Sequence, residues 1–336
     1  MPTTVPSVLL RHQQNRKHSA RKIVLKHVLC FSLALVALSL TYDRQLVVGI
    51  ALVPPLFTEI EQGMSSVARL LRYFDLHSTA GYENNTKPPK DWPSKGTVNI
   101  GDCSLMAYTP RRRVSFQTMT LDIAAREKVC VTGERDAKKP SLVASMLLLK
   151  ESHGDVTVDE IPLKFINLQE ARRAFGVVQR EPFIFTSSLR TNLDPEGIHE
   201  DEDLWDALEA VRMKEYVEEL PRQLNYIMTQ PSIFSNSHQV LLTLARSLLQ
   251  KRRIIILDEV MSSVGYNTFR IIRDVVKQKL GNCTVITIAY GPISRDTVLY
   301  HDRVVVMEGG RIVAMDTPRA MLERQESPLS GFVIDT

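Results

Sequence analysis

Apolar positions along the chain change their spacing twice. Leu29–Phe57 is the most apolar stretch, reading LCFSLALVALSL, then Thr41-Tyr42-Asp43-Arg44-Gln45, then LVVGIALVPPLF. Each half is shorter than the roughly 20 residues a membrane span needs, whereas the union is long enough, with Asp43 and Arg44 near its middle. Glu59–Leu76 carries Ile60, Met64, Val67, Leu70, Leu71 and Phe74 at helical spacing and predicts a helix. Ala80–Lys95, with Gly81, Asn84, Asn85, Pro88, Pro89 and Pro93, reads as a linker of polyproline character.

From Gly96 the apolar runs shorten and become β-rich, at Val98–Ile100, Val114–Leu121 and Lys128–Thr132. Strands at Val156–Val158, Phe175–Gln179, Arg253–Leu257 and Cys283–Ala289 then alternate with helical stretches. Those helices are expected at Ser141–Lys150, Glu200–Leu220, Gln239–Gln250 and Asn267–Leu280, and a hairpin over Arg303–Val313 closes the pattern. Alternating strands and helices indicate a parallel α/β sheet led by a β-rich subdomain.

Composition adds little. The 336 residues are 44% hydrophobic and 24% charged with a net charge of +4, too small to argue for nucleic acid as a partner. Cys30, Cys103, Cys130 and Cys283 form no C-x-x-C pair, which argues against a disulfide framework or a zinc site. Distribution of charge is more telling. Residues 1–28 carry six Lys or Arg residues and no acid: Arg11, Arg16, Lys17, Arg21, Lys22 and Lys26. A secretory signal, a transmembrane or re-entrant helix and a soluble amphipathic segment all compete for the apolar stretch behind this basic tail, and the membrane helix fits best. A basic N-terminus predicts that side inside, which for a single span puts the rest of the chain outside unless a hairpin forms.

Two stretches carry candidate chemistry. Strand Val129–Thr132 leads into Gly133-Glu134-Arg135-Asp136-Ala137-Lys138-Lys139-Pro140-Ser141-Leu142. A phosphate-binding loop needs glycines at its turns, a lysine for the β and γ phosphates and a hydroxyl for magnesium. Gly133 and Lys139 meet that pattern. Lys138 replaces the second glycine, and Pro140 removes both the hydroxyl and a backbone donor at the helix start. The second stretch is the apolar strand Ile254–Leu257 ending in Asp258 and Glu259, carboxylates suited to a magnesium shell and to polarising water. The basic runs Arg111–Arg113 and Lys251–Arg253 read as solvated loop charge.

Between these stretches lie Ser235-Asn236-Ser237-His238 and LLTLARSLLQKRRIIILDE, preceded by REKVCVTG and EPFIFTSSLRTNLDP and followed by TVITIAY. With these words the chain resembles the ATP-binding cassette transporters, most closely the second nucleotide-binding domain of the multidrug-resistance-associated subfamily C, over Ile60–Thr336. The resemblance implies a RecA-like P-loop fold with a β-subdomain and a helical signature subdomain, preceded by a transmembrane-helix remnant. It divides the chain into a basic tail (1–28), the helix remnant and its extension (29–77), a linker (78–95) and a nucleotide-binding domain (96–336).

The same resemblance implies ATP and Mg²⁺ as cofactors, with Asp258 in the magnesium shell and Glu259 as the catalytic carboxylate. Gly133, Lys138, Lys139, Pro140, Ser141 and Leu142 would surround the phosphates. It further implies a second nucleotide-binding domain or the remaining membrane domains as partners, and a membrane location with the cassette on the cytoplasmic side. Departures from the family pattern are as specific as the matches. Arg180 stands at the glutamine that contacts magnesium. Ser235-Asn236-Ser237-His238 replaces Ser-x-Gly-Gln, Gly265 an aspartate and Tyr290 the switch histidine. Ala107 takes the adenine-stacking position, leaving Tyr108 one residue away. His238 is expected to be exposed at a helix start, Tyr290 to be a packing substitute, and ATP turnover to be absent or weak.

Overall fold

The computed structural model describes residues 6–75, 82, 84, 86–109, 112–115, 119–133, 140–149, 152–228, 234–289, 293–309, 311–324, 328–329 and 331–334. Side chains of residues 6–18, 20, 103–109, 112–115, 140–141, 152–153, 262 and 334 lie outside that description. The chain forms two units, Met1–His77 and Ser78–Thr336.

The first unit is one helix, α1 (Pro6–Phe74), of 69 residues with Pro54 and Pro55 inside it. It passes through Asp43 and Arg44 without a break, so no hairpin or re-entrant turn forms, and the expected boundary at residue 28 falls within the helix. Basic residues and apolar run are thus parts of one rod. Over Arg21–Phe74 it is long and apolar enough to cross a membrane, with a mean hydropathy of 2.2 in its apolar window. Thr41 and Thr58 turn their hydroxyls back to the carbonyls of Ala37 (2.7 Å) and Pro54 (3.0 Å), which hides polar groups inside the helix.

The second unit starts with an antiparallel sheet of β1 (Val98–Thr109), β2 (Arg112–Ser115) and β3 (Met119–Ile123). Next come β4 (Lys128–Gly133), α2 (Pro140–Met146), β5 (Ser152–Val158) and β6 (Ile161–Pro162). β1 pairs with β2, β3 and β5, and β5 pairs with β6. The strand expected over Val114–Leu121 is seen at both ends, in β2 up to Ser115 and in β3 from Met119, and its middle lies outside the described residues.

There follow α3 (Leu168–Arg173), β7 (Phe175–Gln179), α4 (Leu189–Leu193), α5 (Asp201–Ala210), α6 (Lys214–Glu218) and α7 (Asn236–Leu249). The remainder is β8 (Ile254–Asp258), α8 (Val260–Ser263), α9 (Tyr266–Gln278), β9 (Thr284–Ile288), β10 (Ile293–Ser294) and α10 (Arg295–Leu299). β11 (Arg303–Glu308), β12 (Arg311–Asp316), α11 (Pro318–Glu323) and β13 (Val333–Ile334) complete it. The helix expected over Glu200–Leu220 is two, parted at Val211–Met213, where Arg212 adopts φ 56°.

The central sheet has the order β12-β11-β4-β9-β8-β7 and is parallel except for β12. Its inner strands β4, β8, β9 and β11 are buried on both faces, as parallel strands between layers must be. In β8, Ile254 and Ile256 join the core toward β1, β3 and α2, whereas Ile255 and Leu257 join the core built on α5 and α7. Four consecutive apolar residues therefore serve two layers.

The linker is held, not loose. Asp159 accepts hydrogen bonds from the backbone N–H of Lys95 (2.9 Å) and Thr97 (2.8 Å) and from the Thr97 hydroxyl (3.0 Å). Trp92 Nε1 donates to the Val158 carbonyl (3.0 Å), and Thr284 Oγ1 donates to that of Gly96 (2.7 Å). The expected polyproline spacer thus packs on the sheet edge over its last residues.

Candidate nucleotide site

Parallel register places the carboxylates. β7 and β8 pair Val178 with Leu257 and Gln179 with Asp258, and β8 and β9 pair Asp258 with Ile288. The next residues along, Arg180 and Glu259, emerge side by side at the carboxyl ends of the strands, where open α/β sheets place their ligands. Arg180 Nη1 lies 3.4 Å from Glu259 Oε2, with the arginine side chain 58% exposed and the glutamate 24%. Glu259 itself is left-handed (φ 56°), and its N–H donates to the Ile288 carbonyl at 2.9 Å.

Asp258 is more enclosed. Its Oδ1 is buried without a hydrogen-bond partner among the described residues. Burial first, and the neighbouring Glu259 charge second, hold its carboxyl above the ordinary carboxylate range. An orphaned carboxylate oxygen suits one corner of a magnesium shell. Pro140 offers no hydroxyl, and no group of three or more His, Cys, Asp or Glu residues among those described is arranged to hold a metal. These residues do not complete a magnesium site.

Gly133 ends β4 opposite Met307 of β11 with φ 142°. A Cβ there would collide with the Met307 carbonyl oxygen, so glycine is demanded by strand packing. Lys138 and Lys139 lie outside the described residues, as does Tyr290. Pro140 and Ser141 open α2, where proline's missing N–H is tolerated. Leu142, expected beside the phosphates, has its side chain 2% exposed in the core with Val143 and Met146. Tyr108 sits on β1 opposite Arg113, its side chain outside the description.

The signature residues begin α7. Ser235 is its N-cap, its Oγ accepting the His238 N–H at 3.2 Å, and Asn236 and Ser237 form the first turn. His238 is not the exposed residue expected. Its ring lies 4.5 Å from that of Tyr216 and 6.3 Å from that of Phe234, because α6 carries Tyr216 against the start of α7. Burial lowers its pKa, and its Nδ1 is without a partner among the described residues. Thr132, one residue before Gly133, pairs with Val306 in the central sheet. Its hydroxyl is fully buried and lacks a partner among the described residues.

The model of the ABC transporter family matches residues 116–262. The chain is 34% identical over 270 residues to ATP-binding cassette sub-family C member 4 of Homo sapiens, an alignment covering 80% of this chain and 20% of that protein. This is an ABC transporter domain of the subfamily C type. Sub-family C member 2 of Homo sapiens is 31% identical, over 79% of this chain and 17% of the relative. The probable multidrug resistance-associated protein lethal(2)03659 of Drosophila melanogaster is 32% identical, over 80% and 20%. The chain thus spans about a fifth of the length of the curated relatives it matches. In fold, the ABC domain resembles a bacterial Atm1-family ABC exporter solved with ATP bound, at a TM-score of 0.71 and 18% identity, over 81% of this chain and 47% of that one.

Proposed function

We propose that this ABC domain keeps the scaffold of a nucleotide-driven exporter while its hydrolytic chemistry is lost or very weak. The observation that carries the reading is the Arg180–Glu259 ion pair: a guanidinium occupies the carboxylate that should polarise water. Pro140, Ser237 and Tyr290 remove further contacts to the terminal phosphate or its metal. If each contact is worth about 2–4 kcal/mol in the transition state, three losses exceed about 6 kcal/mol, or roughly 10⁴-fold in rate. ATP binding through Lys139 is weakened, and magnesium adds little to it because its shell is incomplete.

In this reading α1 anchors the chain in a membrane, consistent with apolar side chains such as Leu33, Val47 and Phe57 exposed along it. The cassette works on the cytoplasmic side, against a second nucleotide-binding domain or the membrane domains of a larger transporter, whose cargo by kinship would be organic anions or drug conjugates. A second reading, an active subunit in a composite site, draws on the retained Asp258 and Glu259. A phosphate-release assay on the full chain in detergent separates the two. Background turnover is expected; magnesium-dependent hydrolysis abolished by Glu259→Gln would overturn the proposal.

A further inference from the structure

The run Lys251-Arg252-Arg253, which reads in the sequence as solvated loop charge and is exposed at Lys251 and Arg253, also lines a cleft. It lies at the opposite edge of the central sheet from Asp258, where β7 and β8 begin, about 17 Å of strand away. One wall is the linker from Pro88 to Pro93; the other is the turn after α4 together with the end of α7, and the cavity measures about 650 Å³. That lies within the usual range of small-molecule sites.

Half of the charged or titratable side chains of the cleft are already matched. Arg173 pairs with Glu170 (3.3 Å) and Glu196 (3.8 Å). Asp194 accepts the N–H groups of Gly197 (3.1 Å) and His199 (2.7 Å) and lies 3.2 Å from His199 Nδ1. Lys90, Lys251, Arg252 and Arg253 form none of these pairs, although the charges of Glu196 and Glu170 act on Arg252, and Asp91 is the acid not used. Arg252 is the telling residue. It is half-buried, and its Nε is enclosed with no hydrogen-bond acceptor among the described residues. A guanidinium N–H shut away from water without an acceptor is costly, and an oxyanion relieves that cost with a charge-assisted bond. Burial lowers the Arg252 pKa, although a guanidinium stays charged at any physiological pH.

We propose that this cleft binds a small ligand bearing a phosphate or carboxylate group, held by Arg252 with Lys90, Lys251 and Arg253 around it, and separate from the phosphate loop. Because Lys90 belongs to the linker and Arg252 to the strand edge, the bound anion fastens the linker to the cassette. Trp92 in the linker wall reports the event.

The test is a titration of the full chain in detergent, following tryptophan emission and, in parallel, heat by calorimetry. Pyrophosphate and citrate are the two probes, which separate phosphate from carboxylate recognition. Saturable binding of at least one is expected, weakened tenfold or more by Arg252→Gln and kept within a few-fold by Arg252→Lys. Lys139→Ala leaves it unchanged. Absence of saturable binding below about 10 mM, equal binding by Arg252→Gln, or loss of binding in Lys139→Ala overturns the proposal. The last result would return the anion to the nucleotide loop.

Discussion

Arg180 meets Glu259 across the ends of two neighbouring parallel strands, Nη1 to Oε2 at 3.4 Å. The pair is partly exposed, and such pairs contribute at most about 1 kcal/mol to stability. Its consequence is geometric: a guanidinium takes up the carboxylate oxygen that would otherwise be open to water. Freeing Glu259 alone is nevertheless not expected to restore turnover, since groups that act as a unit are not additive. Arg180→Gln by itself stays at background phosphate release. Combined with Lys138→Gly, Pro140→Ser and Ser237→Gly, it yields a rise above background of tenfold or more. A single Arg180→Gln variant with robust turnover would show the other positions to be unimportant.

Asp258 is expected to be a liability for stability. Its folded pKa is raised, so the native state binds the proton more readily than the unfolded chain. Stability is then larger at low pH and is lost as pH rises through and above the unfolded value of 3.8. Asp258→Asn should therefore stabilise at neutral pH, by roughly 1 kcal/mol, read as a higher Tm. A lower Tm would mean that the ionised carboxylate is better solvated than its burial indicates.

His301 acts in the opposite pH direction. It is 4% exposed, with Nδ1 bonded to the Thr297 carbonyl (2.8 Å) and Nε2 to the Thr287 hydroxyl (2.8 Å). One ring nitrogen donates and the other accepts, which suits the neutral ring. Burial, the largest cause, lowers its pKa from 6.5 to about 4. The unfolded chain therefore takes up the proton first, and stability present above pH 6.5 drains away down to about pH 4. The loss is on the order of 3 kcal/mol. Urea unfolding at pH 7.5 and pH 4.5 should show it, and His301→Gln should flatten the difference.

What the sequence discloses and what it hides divide along a physical line. Phe175–Gln179 and the strand before Asp258 are visible because runs of β-branched residues between turn signals report local structure. The break between α5 and α6 is invisible because Val211 and Met213, both buried, continue the apolar pattern across it. Lys138 and Pro140 stand out by residue type alone, since a phosphate loop tolerates so few, and Arg180 stands out only against the family pattern. His238 and Arg252 do not, because their surroundings come from Tyr216 and from the linker, residues distant in sequence. Register too is tertiary: only the pairing of β7 with β8 makes Arg180 a neighbour of Glu259.

Gly133 offers a test of architecture apart from chemistry. With φ 142° and the Met307 carbonyl against its Cα, it has no room for a side chain. Gly133→Ala forces strands β4 and β11 apart and should cost roughly 3 kcal/mol or more. Gly309, whose positive φ (55°) faces open space, is the control: Gly309→Asn should stay within about 1 kcal/mol. Equal losses at both sites would show that backbone conformation, not the crowding against Met307, is what glycine supplies at 133.

The linker contacts predict a separable unit of stability. Asp159 gathers two backbone N–H groups and one hydroxyl of Lys95 and Thr97. Its burial opposes ionisation, but these bonds prevail and hold its pKa below the ordinary 3.8. The stabilisation is therefore present above pH 3.8 and fades as pH falls through the lower folded value. Asp159→Ala leaves those donors unpaired and should cost about 1–2 kcal/mol. The loss should be local, because Trp92 and Gly96 keep their own bonds to Val158 and Thr284. Limited proteolysis with trypsin is the sharper readout: cleavage after Lys90 and Lys95 should accelerate in Asp159→Ala while cutting within the central sheet stays unchanged. Uniform acceleration at both places would mean that Asp159 supports the whole fold and that the linker has no independent hold on it.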